Sequence, residues 1–354
     1  MSDAPSTTSP ATTQPPEAPP PPWSVLEFTF SNRDTDSELV ITCCGKRFFL
    51  HLFADNFSES PQLRERYLFF LEVAENYELD GFTIEDFHDW AVEPLFPLFR
   101  KLSPCDKDQI CTLHDFLFPE SFVYTLRAVS QELVPVPYED SHVGGASRFG
   151  VHLADELCSP FESFLPSDVQ IDKEPTIGPP SGMPSKVRLK DGTHAFFKFI
   201  RRGDRHFLRS ELDNYKKNSK AQLDDSLRIS RLYSLVRDKA GVVFGLLLTY
   251  IDCGRVTLSC AMNMDTTAPL REKWVLQLRH IISQLHVAGI AWGDAKPDNV
   301  LIDGNEDVWV VDFGGGYTEG WMPKEQAGTV AGDLHALEKM VGFITAEGRG
   351  ELDA

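Results

Sequence analysis

The sequence predicts an α+β protein of two domains, and three observations carry that prediction. The chain has 354 residues, where a domain commonly takes about 100–200. It is 42% hydrophobic and 11% aromatic, enough apolar material for packed cores and too much for wholesale disorder. The apolar periodicity also restarts: strands then helices fill residues 23–135, and a second series of strands and helices begins near residue 164.

Composition narrows the function. There are 34 Lys and Arg against 53 Asp and Glu, a net charge of −19. A general nucleic-acid binder would carry a basic domain, so no nucleic-acid partner is expected. The seven cysteines form no C-x-x-C pair, which argues against a zinc ribbon. Cys43 and Cys44 lie in an apolar run and read as reduced thiols used as small core residues. No charged start leads into an apolar stretch, and no run of about 18 apolar residues occurs. A cytoplasmic or nuclear location without a membrane partner is the expectation. The acidity is uneven: residues 23–140 hold 22 acids and nine bases, whereas Lys186 to Lys220 holds eleven bases and four acids.

Residues 1–22 contain eight of the 24 prolines and read as a disordered tail. Val25 to Phe30 alternates like a strand. Leu39 to Cys44 and Phe48 to Phe53 follow as two more strands around Gly45. Leu63 to Glu78 has helical spacing, with Leu63, Tyr67, Leu68, Leu71 and Ala74 on one face. Asp86 to Leu102 is a second helix interrupted by Pro94 and Pro97, and His114 to Val129 a third. Residues 23–135 thus form a small acidic α+β domain. Its histidines, His51, His88 and His114, have no metal-ligand spacing. Residues 136–163, broken by Gly144, Gly145 and Pro160, read as a connector.

The second domain spans residues 164–354. Val187 to Leu189 and Ala195 to Ile200 flank Asp191-Gly192, a hairpin dipeptide. A polar helix runs from Asp204 to Lys217. Leu227 to Leu235 and Val242 to Ile251 give another strand pair, and Leu270 to Val287 a long helix. Two short strands, Val300 to Ile302 and Val308 to Val311, surround Asp303-Gly304.

The stretch that carries chemistry is Gly289 to Gly315, with Asp294-x-Lys296-x-x-Asn299 and then Asp312-Phe313-Gly314. Phosphoryl transfer needs positioning and charge neutralisation, and these residue types supply both. A carboxylate can orient an attacking hydroxyl, a nearby cation can steady the phosphoryl group, and amide and carboxylate oxygens suit magnesium. The two motifs resemble the D-x-K-x-x-N loop and D-F-G motif of the protein-kinase-like superfamily. Within it the chain is most similar to short kinase-like proteins of filamentous fungi, over residues 164–354.

That resemblance implies a two-lobed protein-kinase-like fold with a truncated C-terminal lobe, its N-lobe near residues 164–252 and its C-lobe near 253–354. It implies ATP and Mg2+ as cofactors. Catalytic roles fall to Asp294 and Lys296, and metal binding to Asn299 and Asp312. Lys198, in Ala195 to Ile200, would hold the ATP phosphates. Glu211 would partner it from the next helix, with Asp213 the competing residue. Backbone groups of Thr249 and Ile251 would pair with the base. Asp333 would either brace the Asp294 loop or serve as an ordinary helix cap. The acceptor would be a Ser/Thr hydroxyl of a protein, with a small-molecule hydroxyl as the alternative.

Departures from the family pattern favour a competing reading, a non-catalytic pseudokinase whose N-terminal domain recruits a protein partner. The G-x-G-x-x-G loop is replaced by Gly178-Pro179-Pro180-Ser181-Gly182-Met183-Pro184. The His-Arg before the loop aspartate is replaced by Trp292-Gly293, so a phosphorylated segment would lack its usual receptor. Only 20 residues separate Asp312 from Asp333, and the chain ends soon afterwards at Ala354, so the later peptide-docking helices are not expected.

Overall fold

The computed structural model describes residues 18–31, 33–103, 110–139, 149–172, 183–254, 256–262 and 266–346. The Pro-rich tail lies mostly outside them, as do Gly144, Gly145 and Gly178 to Gly182. The chain folds as two compact units, each mixed α+β. Among the described residues no helix is long and apolar enough to cross a membrane.

The first unit comprises, among the described residues, 18–103 and 119–139. Strands β1 (Trp23–Phe30), β2 (Asp36–Cys43) and β3 (Lys46–Phe53) form an antiparallel meander. Cys44 and Gly45 close its tightest turn, both at positive φ (49° and 71°), as a two-residue hairpin demands. Helix α1 (Pro61–Asn76) starts on a proline, whose missing N–H would be unbonded there anyway. A short pair, β4 (Glu78–Leu79) and β5 (Phe82–Thr83), leads to α2 (Ile84–Val92), where Thr83 and Asp86 form a capping box. Pro94 and Pro97 break the expected second helix into α2, a 3-10 turn and α3 (Phe96–Phe99). One core unites Leu39, Ile41, Leu50 and Leu52 of the sheet with Tyr67, Phe70 and Phe87 of the helices.

The expected third helix, His114 to Val129, is not formed. Its latter part is strand β6 (Ser121–Val129), running parallel to β3, and β7 (Glu132–Pro137) pairs with it. Pro119 lacks the N–H a helix needs, and S-F-V-Y-T-L-R-A-V is rich in β-branched and aromatic residues. The sheet therefore has five strands in the order β1-β2-β3-β6-β7, not three.

The former half of that expected helix belongs to the second unit, which comprises 110–118, 149–172 and 183–346 among the described residues. Helix α4 (Leu113–Leu117) is closed by a capping box between Thr112 and Asp115. The connector expected over 136–163 contains regular elements among its described residues, 136–139 and 149–163. It ends β7 and then supplies β8 (Val151–His152), α5 (Asp155–Cys158) and β9 (Glu162–Phe164) to the second unit. Next come β10 (Gln170–Ile171), β11 (Lys186–Arg188) and β12 (His194–Phe199). Helix α6 (Arg205–Lys220), β13 (Leu232–Arg237) and β14 (Val242–Thr249) follow. The strand order is β10-β11-β12-β14-β13-β9, with β8 also on β14.

Strand β14 is buried on both faces, which explains its unbroken apolar run. Val243, Leu246 and Leu248 pack with Leu208, Leu212 and Tyr215 of α6. Phe244 and Leu247 turn to the other face, where Leu113 and Leu117 of α4 complete a core with Val187, Ala195 and Phe197. Gly245 lies between them because a Cβ there would stand 2.2 Å from the Phe197 ring and 2.7 Å from the Lys198 carbonyl oxygen.

Beyond the sheet lie α7 (Leu258–Ala261), α8 (Ala268–Val287), the hairpin of β15 (Val300–Ile302) and β16 (Val308–Val310), and α9 (Val330–Thr345). Trp274, Leu278, Ile281, Ile282 and Leu285 of α8 are buried in their core, whereas Leu276 is exposed. Strand β13 begins only at Leu232; Leu227 to Ser230 is irregular, with Ile229 bridging Val310.

Candidate functional site

The second unit gathers most of the candidate residues at one place. Strand β12 pairs Lys198 with Leu246 of β14, which fixes the lysine's position along the sheet. Its Nζ donates to Oε1 of Glu211 at 2.9 Å and to Oδ1 of Asp312 at 2.8 Å. Glu211 reaches it from α6, on the same buried helix face as Leu208, Leu212 and Tyr215. Asp213 is exposed, so the competition between the two acids resolves to Glu211. Phe207, in the first turn of α6, is 55% exposed.

Burial and charge oppose each other in this trio. Burial pushes the Lys198 ammonium down, but the Glu211 and Asp312 carboxylates outweigh it and hold the lysine above its ordinary range. Burial pushes the Glu211 carboxyl up, against the pull of Lys198. The lysine therefore stays cationic between the two acids.

Asp312 adopts a left-handed backbone (φ 63°), uncommon for a residue other than glycine. The following Phe313 is buried and meets Tyr215 edge-on at 5.8 Å. Its carbonyl accepts from Asn214 Nδ2 at 2.8 Å, so α6 grips the segment by side chain and backbone alike.

The loop from Trp292 to Asn299 is held from α9. Asp333, fully buried, accepts from the backbone N–H groups of Trp292 (2.7 Å) and Gly293 (2.9 Å), and it bonds His286 Nε2 at 2.9 Å. It is not the helix cap, a role taken by Thr329, whose side chain accepts from Gly332 N–H. Gly293 is at φ 96°, and a Cβ there would approach Gly315 Cα at 3.3 Å, so glycine is needed. The Trp292 indole donates to Val311 O at 2.8 Å, tying the loop to the residue before Asp312.

Within the loop, Asn299 Nδ2 donates to the Asp294 carbonyl at 2.9 Å and to its Oδ2 at 3.2 Å. Lys296 Nζ lies 2.9 Å from Asp294 Oδ2. Lys296 also donates to Thr318 Oγ1 at 2.8 Å, and Thr318 donates to Asp294 Oδ1 at 3.1 Å. Thr318, Asn214 and His286 carried no sequence signal, because each acts through a partner at least 22 residues away.

A cavity of about 420 Å3 opens beside Lys198, Asn299 and Asp312, within the roughly 300–1,000 Å3 of small-molecule sites. Phe196, Leu248, Leu301 and Val311 give it apolar walls, and Thr249, Ile251 and Cys253 line it too. The Thr249 N–H donates to Arg231 O at 2.9 Å, because strand pairing continues through the end of β14. The Ile251 carbonyl accepts from Cys253 N–H at 2.9 Å. No group of three or more His, Cys, Asp or Glu among the described residues could hold a metal alone.

Neither a protein-family model nor a curated protein matches this chain.

Asp333→Asn should destabilise the second unit by about 1.5–3 kcal/mol, since its NH2 replaces one of the two accepting oxygens and leaves the backbone N–H facing it unsatisfied in the core. Urea unfolding monitored by tryptophan fluorescence checks this; an unchanged midpoint would show that the carboxylate charge is unnecessary.

Proposed function

We propose that the second unit is a protein-kinase-like phosphotransferase that uses ATP and magnesium to phosphorylate a hydroxyl, a Ser or Thr of a protein. The observation that carries this reading is the bridging of Glu211 and Asp312 by Lys198 at a cavity that Asn299 also lines. The sheet with α6 then corresponds to one lobe of such a fold, and α7 to α9 to the other.

The residues fit the groups they would hold. Magnesium takes hard oxygen ligands, commonly one or two protein carboxylates together with substrate phosphates. Asp312 and the amide oxygen of Asn299 would hold it, since the Asn299 NH2 is already committed to Asp294. The ion so bound would neutralise charge on the transferred group. Lys198 would hold phosphate oxygens by its retained charge. Asp294 would orient the acceptor hydroxyl and take its proton, at the oxygen that Thr318 Oγ1 reaches now. Lys296 lies beside that carboxylate, where a cation offsets negative charge arriving with the phosphoryl group.

The test is ATP binding by calorimetry with and without magnesium, followed by γ-phosphate transfer to a mixture of protein acceptors. The unaltered protein should bind ATP more tightly with magnesium, and Asp312→Asn should lose that difference. No magnesium-dependent binding in the unaltered protein would overturn the reading. Binding without transfer to any acceptor would favour the pseudokinase.

A further inference from the structure

The first unit has a cavity of its own, of about 520 Å3, bounded by α1, β5 and the turn between β6 and β7. That volume lies within the roughly 300–1,000 Å3 of small-molecule sites. Gln62, Glu65, Arg66 and Phe69 line it from α1, where spacings of three and four residues put them on one side of the helix. Two tight hairpins bring the other walls. Asp80 and Gly81, at φ 52° and 80°, turn the chain into Phe82, and Ser130 and Gln131, at 50° and 69°, bring Gln131 to the cavity. Phe82 stands edge-on to Phe69, with ring centroids 5.5 Å apart, and stays 38% exposed.

Arg66 is the unexpected member. Residues 23–140 hold 22 acids and nine bases, yet Arg66 has no acidic partner among the described residues. The positions three and four away on α1 are Gln62, Leu63, Phe69 and Phe70, none of them acidic. Its guanidinium instead rests over the Phe70 ring, 5.3 Å from the centroid, which steadies the planar fork without using its N–H groups. Such a fork matches a carboxylate bidentately. Glu65, in the same cavity, suits an N–H group beside that carboxylate, and Phe82 suits a flat apolar ring.

We propose that this cavity binds the α-carboxylate end of an aromatic amino-acid residue, either the free amino acid or the C-terminus of a peptide. Arg66 grips the carboxylate, Glu65 accepts from the adjacent N–H, and Phe82 packs on the ring. The site belongs to the first unit and is independent of the phosphotransferase reading.

The experiment titrates the full chain with N-acetyl-phenylalanine, its carboxamide and free phenylalanine, followed by ligand-observed NMR. At least one of the two acids should bind with a Kd on the order of 1 mM, usual for so small a ligand. The carboxamide should bind about tenfold more weakly than N-acetyl-phenylalanine. Arg66→Gln should weaken the acids about tenfold and leave the carboxamide unchanged, whereas Phe82→Ala should weaken all three. Phenylalanine binding tighter than N-acetyl-phenylalanine, with that order lost in Glu65→Gln, assigns the free amino acid; the opposite order assigns a peptide terminus. No binding of either acid at about 10 mM, or equal binding of acid and carboxamide, would overturn the proposal. Both of those measurements use the unaltered protein, so they stand whatever the variants do to folding.

Discussion

Replacing Asp294 by Asn is expected to cut phosphate transfer about 10²- to 10⁴-fold, the range lost with a positioned general base. ATP affinity should change little. The asparagine oxygen can still accept from Thr318, Lys296 keeps its bond to Thr318, and Asn299 keeps its bond to the backbone carbonyl of residue 294. What disappears is the capacity to take a proton, because an amide is not a base at neutral pH. Single-turnover transfer measured beside calorimetric ATP binding separates the two effects. A variant that loses ATP binding in step with transfer would assign Asp294 to the nucleotide rather than to the acceptor.

The second large effect is on stability. Lys198→Met should destabilise the second unit by about 3 kcal/mol near neutral pH, because it leaves a buried carboxylate without its cation. Glu211 is only 2% exposed, and burial already pushes its carboxyl up. A carboxyl whose folded pKa lies above its unfolded value favours the folded state while it is protonated. That stability is fully present below the unfolded pKa of about 4.3 and is lost as pH rises through the folded value. The deficit of Lys198→Met against the unaltered protein should therefore be small near about pH 4 and grow toward about pH 8. Urea unfolding at both pH values measures it. The double variant Lys198→Met with Glu211→Gln should recover most of the loss, since it removes the stranded charge. A deficit independent of pH, or a double variant no more stable than Lys198→Met, would show that packing, not charge, is at stake.

Short-range chemistry was legible in the sequence. The spacing of Asp294, Lys296 and Asn299 brings them together because they share one loop, and the hairpin around Asp191-Gly192 formed as its turn residues dictate. Lys198 and Glu211 could be matched because an apolar strand and an adjacent helix each offered one inward-facing charged residue. The reading failed where distant pairing overrides local pattern. Ser121 to Val129 has apolar residues that suit a helix about as well as a strand; partnership with β3 decides between them. The Thr249 N–H is spent on Arg231, in a neighbouring segment that the local pattern does not reveal. Thr318 was invisible for the same reason, its role set by a loop more than 20 residues earlier.

Helix α4 has a consequence for how this molecule can be made and divided. The chain leaves the first unit after Gln109, gives Leu113 and Leu117 to the core beneath β12 and β14, and returns at Pro119 to build β6 and β7. No single cut in the backbone can therefore yield both units whole. A cut before residue 110 deprives the five-stranded sheet of two strands, and a cut after residue 118 strips the other core of its helix. During synthesis, the nine residues from Ile110 to Phe118 emerge before the strands they will cover. They stay without that cover until β14 leaves the ribosome, after every strand of the five-stranded sheet has emerged.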